Sequence, residues 1–546
     1  MFARIKKSGK YEYLQIVENR RENKKSRQRV IATLGRLDKM QDKGEVERLT
    51  RSLSRFSRKS MLILSSKSNP KANVKKIGPS LIFERIWKET GIASIIRNLL
   101  SERKFGFDVE RAIFITVLHR LMTSGSDRNC DYWRQNYKIT GSEELSLHHF
   151  YRAMCFLGEE TSDQTKASPF TARRTKDIIE EQLFFSRSDI FSSLEMVFFD
   201  TTSIYFEGGG GDKIGALGFS KDNRPDLKQM IVGVLMDDTG MPLCCEMWPG
   251  NIADVTTLIP IIEGIKKRFG VVHFCIVSDR GMISKGTLEK LESPESTINY
   301  ILGVRMRNVN EVKKEVLSRG GRYKEVHPES KNKKDQSPLK VKEVLHKDKR
   351  YIVCLNTKQA RKDSLDRENI LNSLQVKMKQ GAGSLIGNKG YRKYLKIKKH
   401  SVSINYDKIK YEQRLDGKWV LRTNTDLSAE EVALSYKELW MVEHIFRNMK
   451  SLLETRPIYH RIDETICGHV FCSFLALVLL KELERRLEKS GYNFEWDKVR
   501  QDLKALQEIT IEENDKTFAV RSECLGTCGK VFQAVGVAVP PSIREL

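Results

Sequence analysis

The sequence predicts an α/β protein built on a central sheet, and three observations predict it. The first is a pair of apolar runs, each closed by an aspartate: Leu194, Met196, Val197, Phe198, Phe199 before Asp200, and Val271, Val272, Phe274, Ile276, Val277 before Asp279. Runs this apolar read as buried strands. The second is what lies between them. Residues 229–236 and 241–247 flank Asp237, Asp238, Thr239 and Gly240 and read as a hairpin. Beyond Pro249 and Gly250, Asp254 is expected to cap a helix whose apolar face is Leu258, Ile261, Ile262 and Ile265. The third is a downstream helical segment in which Tyr436, Glu443 and Lys450 recur every seven positions. Such residues drift only about 20° per step and share one face. Strand, strand, strand, helix, strand is the opening topology of a ribonuclease-H-like domain. The full expectation is that core, interrupted by a β-rich insertion, with a basic N-terminal hairpin arm and a helical N-terminal domain.

Taken in order, residues 11–18 and 29–34 read as strands joined by a polar, basic link at 19–28, a hairpin with a charged tip. A basic helix is expected near 40–58, then a Ser-, Asn-, Lys- and Pro-containing linker at 65–76. From 80 to about 185 the periodicity is helical, as in Leu81, Ile82, Ile86, Trp87 and in Ala112, Ile113, Ile115, Leu118, Met122. This is a DNA-binding or scaffolding domain, or a plain structural bundle. The 163 residues between Asp279 and Glu443 are too many for a loop. They carry candidate strands at 298–304, 339–344, 351–355, 394–398 and 404–411, and a hairpin of 411–415 with 418–422 about Asp416 and Gly417. Ser428 and Glu431 form a capping box that starts the glutamate helix. The expected division is an arm at 1–75, a helical domain at 76–190, core at 191–285 and 429–490, the insertion at 286–428, and a C-terminal region at 491–546.

Charge points to the partner class. The formal net charge is +25, and residues 1–80 hold 22 Lys or Arg against 7 Asp or Glu, a net +15, so over half the imbalance sits in this segment. That suits a polyanion, with the arm binding nucleic acid or serving as a solubilising basic tail. The ten cysteines are scattered, and Cys524 and Cys528 have no nearby histidine, which argues against structural zinc and for reduced thiols in a cytosol. The opening residues lack the apolar core of a signal peptide, and the apolar stretch 470–480 is short for a bilayer, so it is expected to be a core helix.

Two strand-end aspartates and a helix-borne glutamate supply the hard oxygen ligands of a two-metal phosphoryl-transfer site. Among 71 acidic residues, an aspartate after an apolar run is also common as a plain turn former. The surrounding residues discriminate. Asp200-Thr201-Thr202-Ser203-Ile204-Tyr205-Phe206-Glu207, Gly218-Phe219-Ser220-Lys221-Asp222-Asn223-Arg224-Pro225-Asp226, Pro249-Gly250-Asn251-Ile252-Ala253-Asp254 and Ser278-Asp279-Arg280-Gly281 resemble DDE transposases of bacterial insertion sequences. Within these, the chain is similar to the insertion-sequence-four group, whose Tyr-x2-Arg-x3-Glu-x6-Lys signature reads here Tyr436-x2-Leu439-x3-Glu443-x6-Lys450, with Leu439 in place of the arginine and Arg447 one turn after Glu443.

The resemblance implies that Asp200, Asp279 and Glu443 bind two Mg²⁺ ions, with Mn²⁺ as a substitute, for cleavage of double-stranded DNA at terminal inverted repeats and strand transfer into target DNA. It implies DNA contacts by Tyr436, Lys450 and Arg447, and by Arg280 unless that residue pairs with an acidic neighbour. It also implies a homodimer in the synaptic complex and action at the bacterial nucleoid in the cytoplasm, without a membrane. Trp419 is expected to pack inside the insertion or to stack on an unpaired base. The segment 221–228 reads as a DNA-channel lining or as a solvated turn fixed by Pro225. The rival functions are a structure-specific nuclease and a catalytically silent DNA-binding protein. No Gly-x4-Gly-Lys-Ser/Thr loop supports other phosphate chemistry.

Overall fold

The structure is a computed structural model that describes residues 1–22, 25–54, 71–187, 194–326, 339–380, 392–398, 401–513 and 516–546. They fall into two compact units, residues 1–81, 135–138 and 494–546, and residues 82–134 and 139–493.

In the first unit, Phe2–Ser8, Tyr11–Glu22 and Lys25–Arg36 form a three-stranded antiparallel sheet. The expected link at 19–28 is therefore strand up to Glu22 and again from Lys25. Leu37–Asp42 and Glu45–Ser54 are helical, and the rest of the helix expected to residue 58 lies outside the described residues. Part of the expected linker is structured. Lys71–Lys76 pairs with Gln507–Glu513 in a four-stranded sheet with Lys516–Arg521 and Ile543–Glu545, while residues 65–70 lie outside the described residues.

The second unit is organised on a nine-stranded sheet. Its strands are β1 Met196–Tyr205, β2 Gln229–Asp237, β3 Pro242–Pro249, β4 Cys275–Ser278, β5 Asn299–Val304, β6 Lys324–Val326, β7 Leu339–His346, β8 Lys349–Asn356 and β9 Lys418–Thr423. The order is β6-β7-β8-β9-β5-β4-β1-β2-β3. β1, β2 and β3 are antiparallel neighbours, and β4 and β5 run parallel to β1. Every residue of β2 is buried, as its unbroken Met-Ile-Val-Gly-Val-Leu-Met run requires of a strand covered on both faces. One face packs Val197, Phe199, Ile231 and Leu235 against Leu258, Ile261, Ile262 and Ile265. The helix Trp440–Arg447 contacts β1 and β2.

Three expectations change. The segment between β5 and Glu443 extends the same sheet, because β9 pairs with β5 and carries β8, β7 and β6 outward. It also contains a 24-residue helix, Thr357–Gln380. Residues Tyr406–Gln413 are helical rather than strand, since the Asn405 side chain accepts from Lys408 N at 3.1 Å and caps them. Asp416 and Gly417 still turn the chain, with Gly417 at φ +63°, but between a helix and β9.

The longest helix, Asp463–Lys489, is long and apolar enough to cross a membrane, yet 94% of its apolar window is buried inside the protein by packing such as that of Leu147–Gly158 and Val109–Met122. It is a core helix, and it runs beyond the apolar stretch at 470–480 at both ends. All ten cysteines are free thiols.

Candidate active site

Asp200 is the fifth of ten residues in β1, so it stands inside the strand and not at its end. Phe199 is paired with Ser278 in the parallel β1–β4 register, which makes Asp200 and Asp279 the next residue along each of the two neighbouring segments. Alternation turns Asp200 away from Val197 and Phe199 and so from the core beneath them. Burial raises the Asp200 carboxyl to about 6, against the pull of Lys221 and the Thr201 amide, with the charges of Asp279 and Asp254 adding to the rise. The Thr201 N–H donates to Asp200 Oδ1 at 2.7 Å.

Asp279 follows β4 and opens the turn Arg280–Met282. The Tyr436 hydroxyl donates to Asp279 Oδ1 at 2.8 Å, and burial next to that carboxylate drives the phenol well above its ordinary range. Gly303 in β5 makes this reach possible. A Cβ there would fall on the Tyr436 hydroxyl and sit 3.1 Å from the Arg280 amide.

Asp254 belongs to the same cluster, although its sequence context reads as a helix cap. It does not cap the helix Leu258–Gly264, whose N-cap is Thr257. Instead Asp254 Oδ1 accepts from Thr201 Oγ1 at 2.8 Å and Oδ2 pairs with Lys221 Nζ at 3.1 Å. Lys221 Nζ also donates to Thr201 O at 2.6 Å and Oγ1 at 2.9 Å. The one signal in the sequence was the Pro-Gly-Asn-Ile-Ala-Asp motif itself.

The expectation of one continuous helix through Tyr436, Glu443 and Lys450 is corrected. The three lie in successive pieces: the helix Ala429–Lys437, opened by the Ser428 and Glu431 capping box, the helix Trp440–Arg447, and a π-turn at Asn448–Leu452. Bonds from Met441 N to Glu438 O and from Val442 N to Leu439 O tighten the joint, and a π-turn follows at the end. Tyr436 reaches Asp279. Lys450 Nζ pairs instead with Asp222 Oδ1 at 2.8 Å. Glu443 is exposed, on a helix held down by buried Val442, Ile445 and Phe446. Leu439 is buried, 8% exposed, so this position faces the core and not a phosphate. Arg280 and Arg447 are exposed.

Among the described residues, the one set of three His, Cys, Asp or Glu side chains with ligand atoms within 4.8 Å of one another is Asp127, His460 and His469. It lies apart from the aspartates, and Arg120 Nη2 already bonds His469 Nδ1 at 2.9 Å. Asp200, Asp279 and Glu443 do not form such a set. Beside Asp279 and Tyr436 opens a cavity of about 500 Å³, lined also by Arg280, Arg307, Lys418 and Trp419. The Trp419 Nε1 is buried without a hydrogen-bond partner.

Two aspartates at neighbouring strand positions, beside a cavity lined by five acidic and five basic side chains, supply the charged groups that a phosphoryl-transfer class of enzyme uses. Residues 192–479 match the transposase DDE domain, and residues 3–67 match the IS1634 family transposase N-terminal domain. The chain belongs to the DDE transposases of insertion sequences, enzymes of DNA transposition that use divalent metal ions. No curated protein matches it. The chain is also similar to a solved structure, the "Cryo-EM structure of piggyBac transposase synaptic complex with hairpin DNA", at 10% identity and a TM-score of 0.38, over 80% of this chain and 82% of that one. So slight a likeness adds nothing to the assignment.

Proposed function

We propose that this transposase acts through Asp200, Asp279 and Glu443 on a ribonuclease-H-like core, as a member of the insertion-sequence-four group with its Tyr-Arg-Glu-Lys type of signature. The observation that carries the reading is the β1–β4 register, whose last pair, Phe199 with Ser278, is followed on each chain segment by an aspartate, Asp200 and Asp279. The order β3-β2-β1-β4-β5, with the first three strands antiparallel and the last two parallel to β1, supports the core assignment.

The donor set fits a hard divalent cation. It is all oxygen, and the carboxyl of Asp200 is raised in part by neighbouring carboxylates, a repulsion that a cation relieves. Two Mg²⁺ ions, replaceable by Mn²⁺, activate the attacking oxygen and stabilise the leaving oxygen when bound. Tyr436 holds Asp279 through Oδ1, so Oδ2 would be the oxygen left to bind a cation. Glu443 closes the ligand set from its exposed helix face. Arg280 and Arg447, both exposed, take backbone phosphate of double-stranded DNA, first at the terminal inverted repeats and then in the target. Trp419 offers its ring to a base entering the cavity beside Asp279. Joining two ends calls for a homodimer in the synaptic complex, and residues 1–54 supply sequence-independent DNA affinity at the bacterial nucleoid.

The test is substitution without loss of shape. Asp200→Asn, Asp279→Asn and Glu443→Gln are each expected to abolish cleavage of end-sequence DNA in Mg²⁺ while binding stays close to wild type. Wild-type turnover in two of the three would remove the assignment. Strand transfer by the native chain separates it from a simple nuclease.

A further inference from the structure

The lysine of the signature does not stand open to DNA, and its partner is unusual. Lys450 Nζ and Arg456 Nη1 both converge on one oxygen of Asp222, Oδ1, at 2.8 and 2.5 Å. The Asp222 side chain is 9% exposed, and its other oxygen, Oδ2, is buried with no hydrogen-bond partner. A carboxylate held this way leaves half its acceptor capacity stranded, which makes a buried ion pair a weak source of stability. Arg456 also stands 5.8 Å from the Tyr205 ring, with Arg224, itself paired with Asp226 at 2.9 Å, 5.6 Å from the same ring. The residue before Asp222 is Lys221, whose ammonium lies against Asp254 and Thr201. The carboxylate that pairs both cations is therefore one residue along the chain from the lysine that the acidic cluster holds.

We propose that Lys450 and Arg456 form a site for a DNA backbone phosphate and that Asp222 occupies it as an internal stand-in anion until DNA displaces it. The inference rests on the reading of this face as DNA-binding, and it adds Arg456 as a phosphate ligand and Asp222 as the group that DNA must displace. Both cations are donors only, and a phosphodiester presents two non-bridging oxygens to them, one for each. Closure by Asp222 keeps a desolvated lysine paired in the free chain. It also makes the free protein a weaker binder of non-specific DNA than its net charge suggests.

The test uses the full chain and a random-sequence 30-base-pair duplex, titrated at several salt concentrations. Asp222→Asn is expected to bind roughly 10-fold more tightly than wild type. Arg456→Ala is expected to bind more weakly and to lower the log–log salt slope by about 0.9, the effect of one phosphate. Inorganic phosphate, compared with chloride at equal ionic strength, is expected to raise the melting temperature of Asp222→Asn but not of the wild type or of the Asp222→Asn, Lys450→Ala double variant. A folded Asp222→Asn with wild-type affinity and no response to phosphate overturns the proposal. If Asp222→Asn does not fold, Arg456→Ala in the native chain decides, and an unchanged slope overturns it. Should wild type and Lys450→Ala bind the duplex equally, with Arg456→Ala weakened, the DNA role of the signature lysine fails. A lone loss at Lys450 with no effect at Arg456 or Asp222 fails this proposal and spares that role.

Discussion

Asp200 brings together the two demands on the site, because a strand half-buries it while two other carboxylates crowd it. Its raised carboxyl has a signed consequence. The folded chain favours the protonated acid, so the contribution of Asp200 to stability is largest below the ordinary carboxylate range and is lost as pH rises from about 4 through 6. The shift of roughly two units sets an upper bound of about 3 kcal/mol. In chelator, Asp200→Asn should therefore melt higher than wild type at pH 8 and show little difference at pH 4, and added Mg²⁺ should stabilise the wild type alone. Thermal melts at the two pH values check this, and equal shifts at both would refute it. Tyr436→Phe removes the donor to Asp279 Oδ1, and loss of such an orienting partner costs about 10- to 100-fold in metal affinity or activity. Gly303→Ala should give a similar loss by displacing the same hydroxyl, with both read as Mg²⁺ dependence of end cleavage.

At the level of elements, the signature segment is the informative case. A repeat of seven predicts one face only while the helix keeps a single winding, and here the winding changes at 438–442 and again at a π-turn, with Tyr436 bonded to Asp279, Lys450 paired with Asp222 and Glu443 exposed. Leu439 at the joint is buried, so Leu439→Arg would strand a charge in the core and should destabilise the protein by several kcal/mol, whereas Leu439→Met should be close to neutral. Urea unfolding of the two variants distinguishes this from an exposed, phosphate-facing position, where the arginine would be tolerated. The insertion behaves in the same way. Its strands were legible because β-branched and aromatic residues alternate in them, but the helix Tyr406–Gln413 was not, because its cap, Asn405, also suits a turn.

For the whole molecule, the strand Lys71–Lys76 decides how the basic arm should be removed. A cut at 75 would strip a strand from the sheet that contains Gln507–Glu513, so deletion of residues 1–54 is the cleaner change. That deletion should weaken duplex binding and flatten its salt dependence by about 0.9 for each phosphate the arm no longer neutralises, with cleavage chemistry intact at saturating DNA. An unchanged slope would make the arm a solubilising tail.

Local pattern was enough to determine the strands that carry Asp200 and Asp279, the hairpin between them, the capping box at Ser428, and the cationic character that calls for DNA. Each is written in a few consecutive residues, where apolar period and turn chemistry act directly. Tertiary structure alone decided that the insertion joins the catalytic sheet through β9 and β5, that Asp254 turns from helix cap to neighbour of Asp200, that Gly303 clears the way for Tyr436, and that Asp222 holds Lys450. Tyr436 and Asp279 are 157 positions apart, and Lys450 and Asp222 are 228. Pairings at that separation depend on strand register and on small changes in helix winding, which no window of sequence contains.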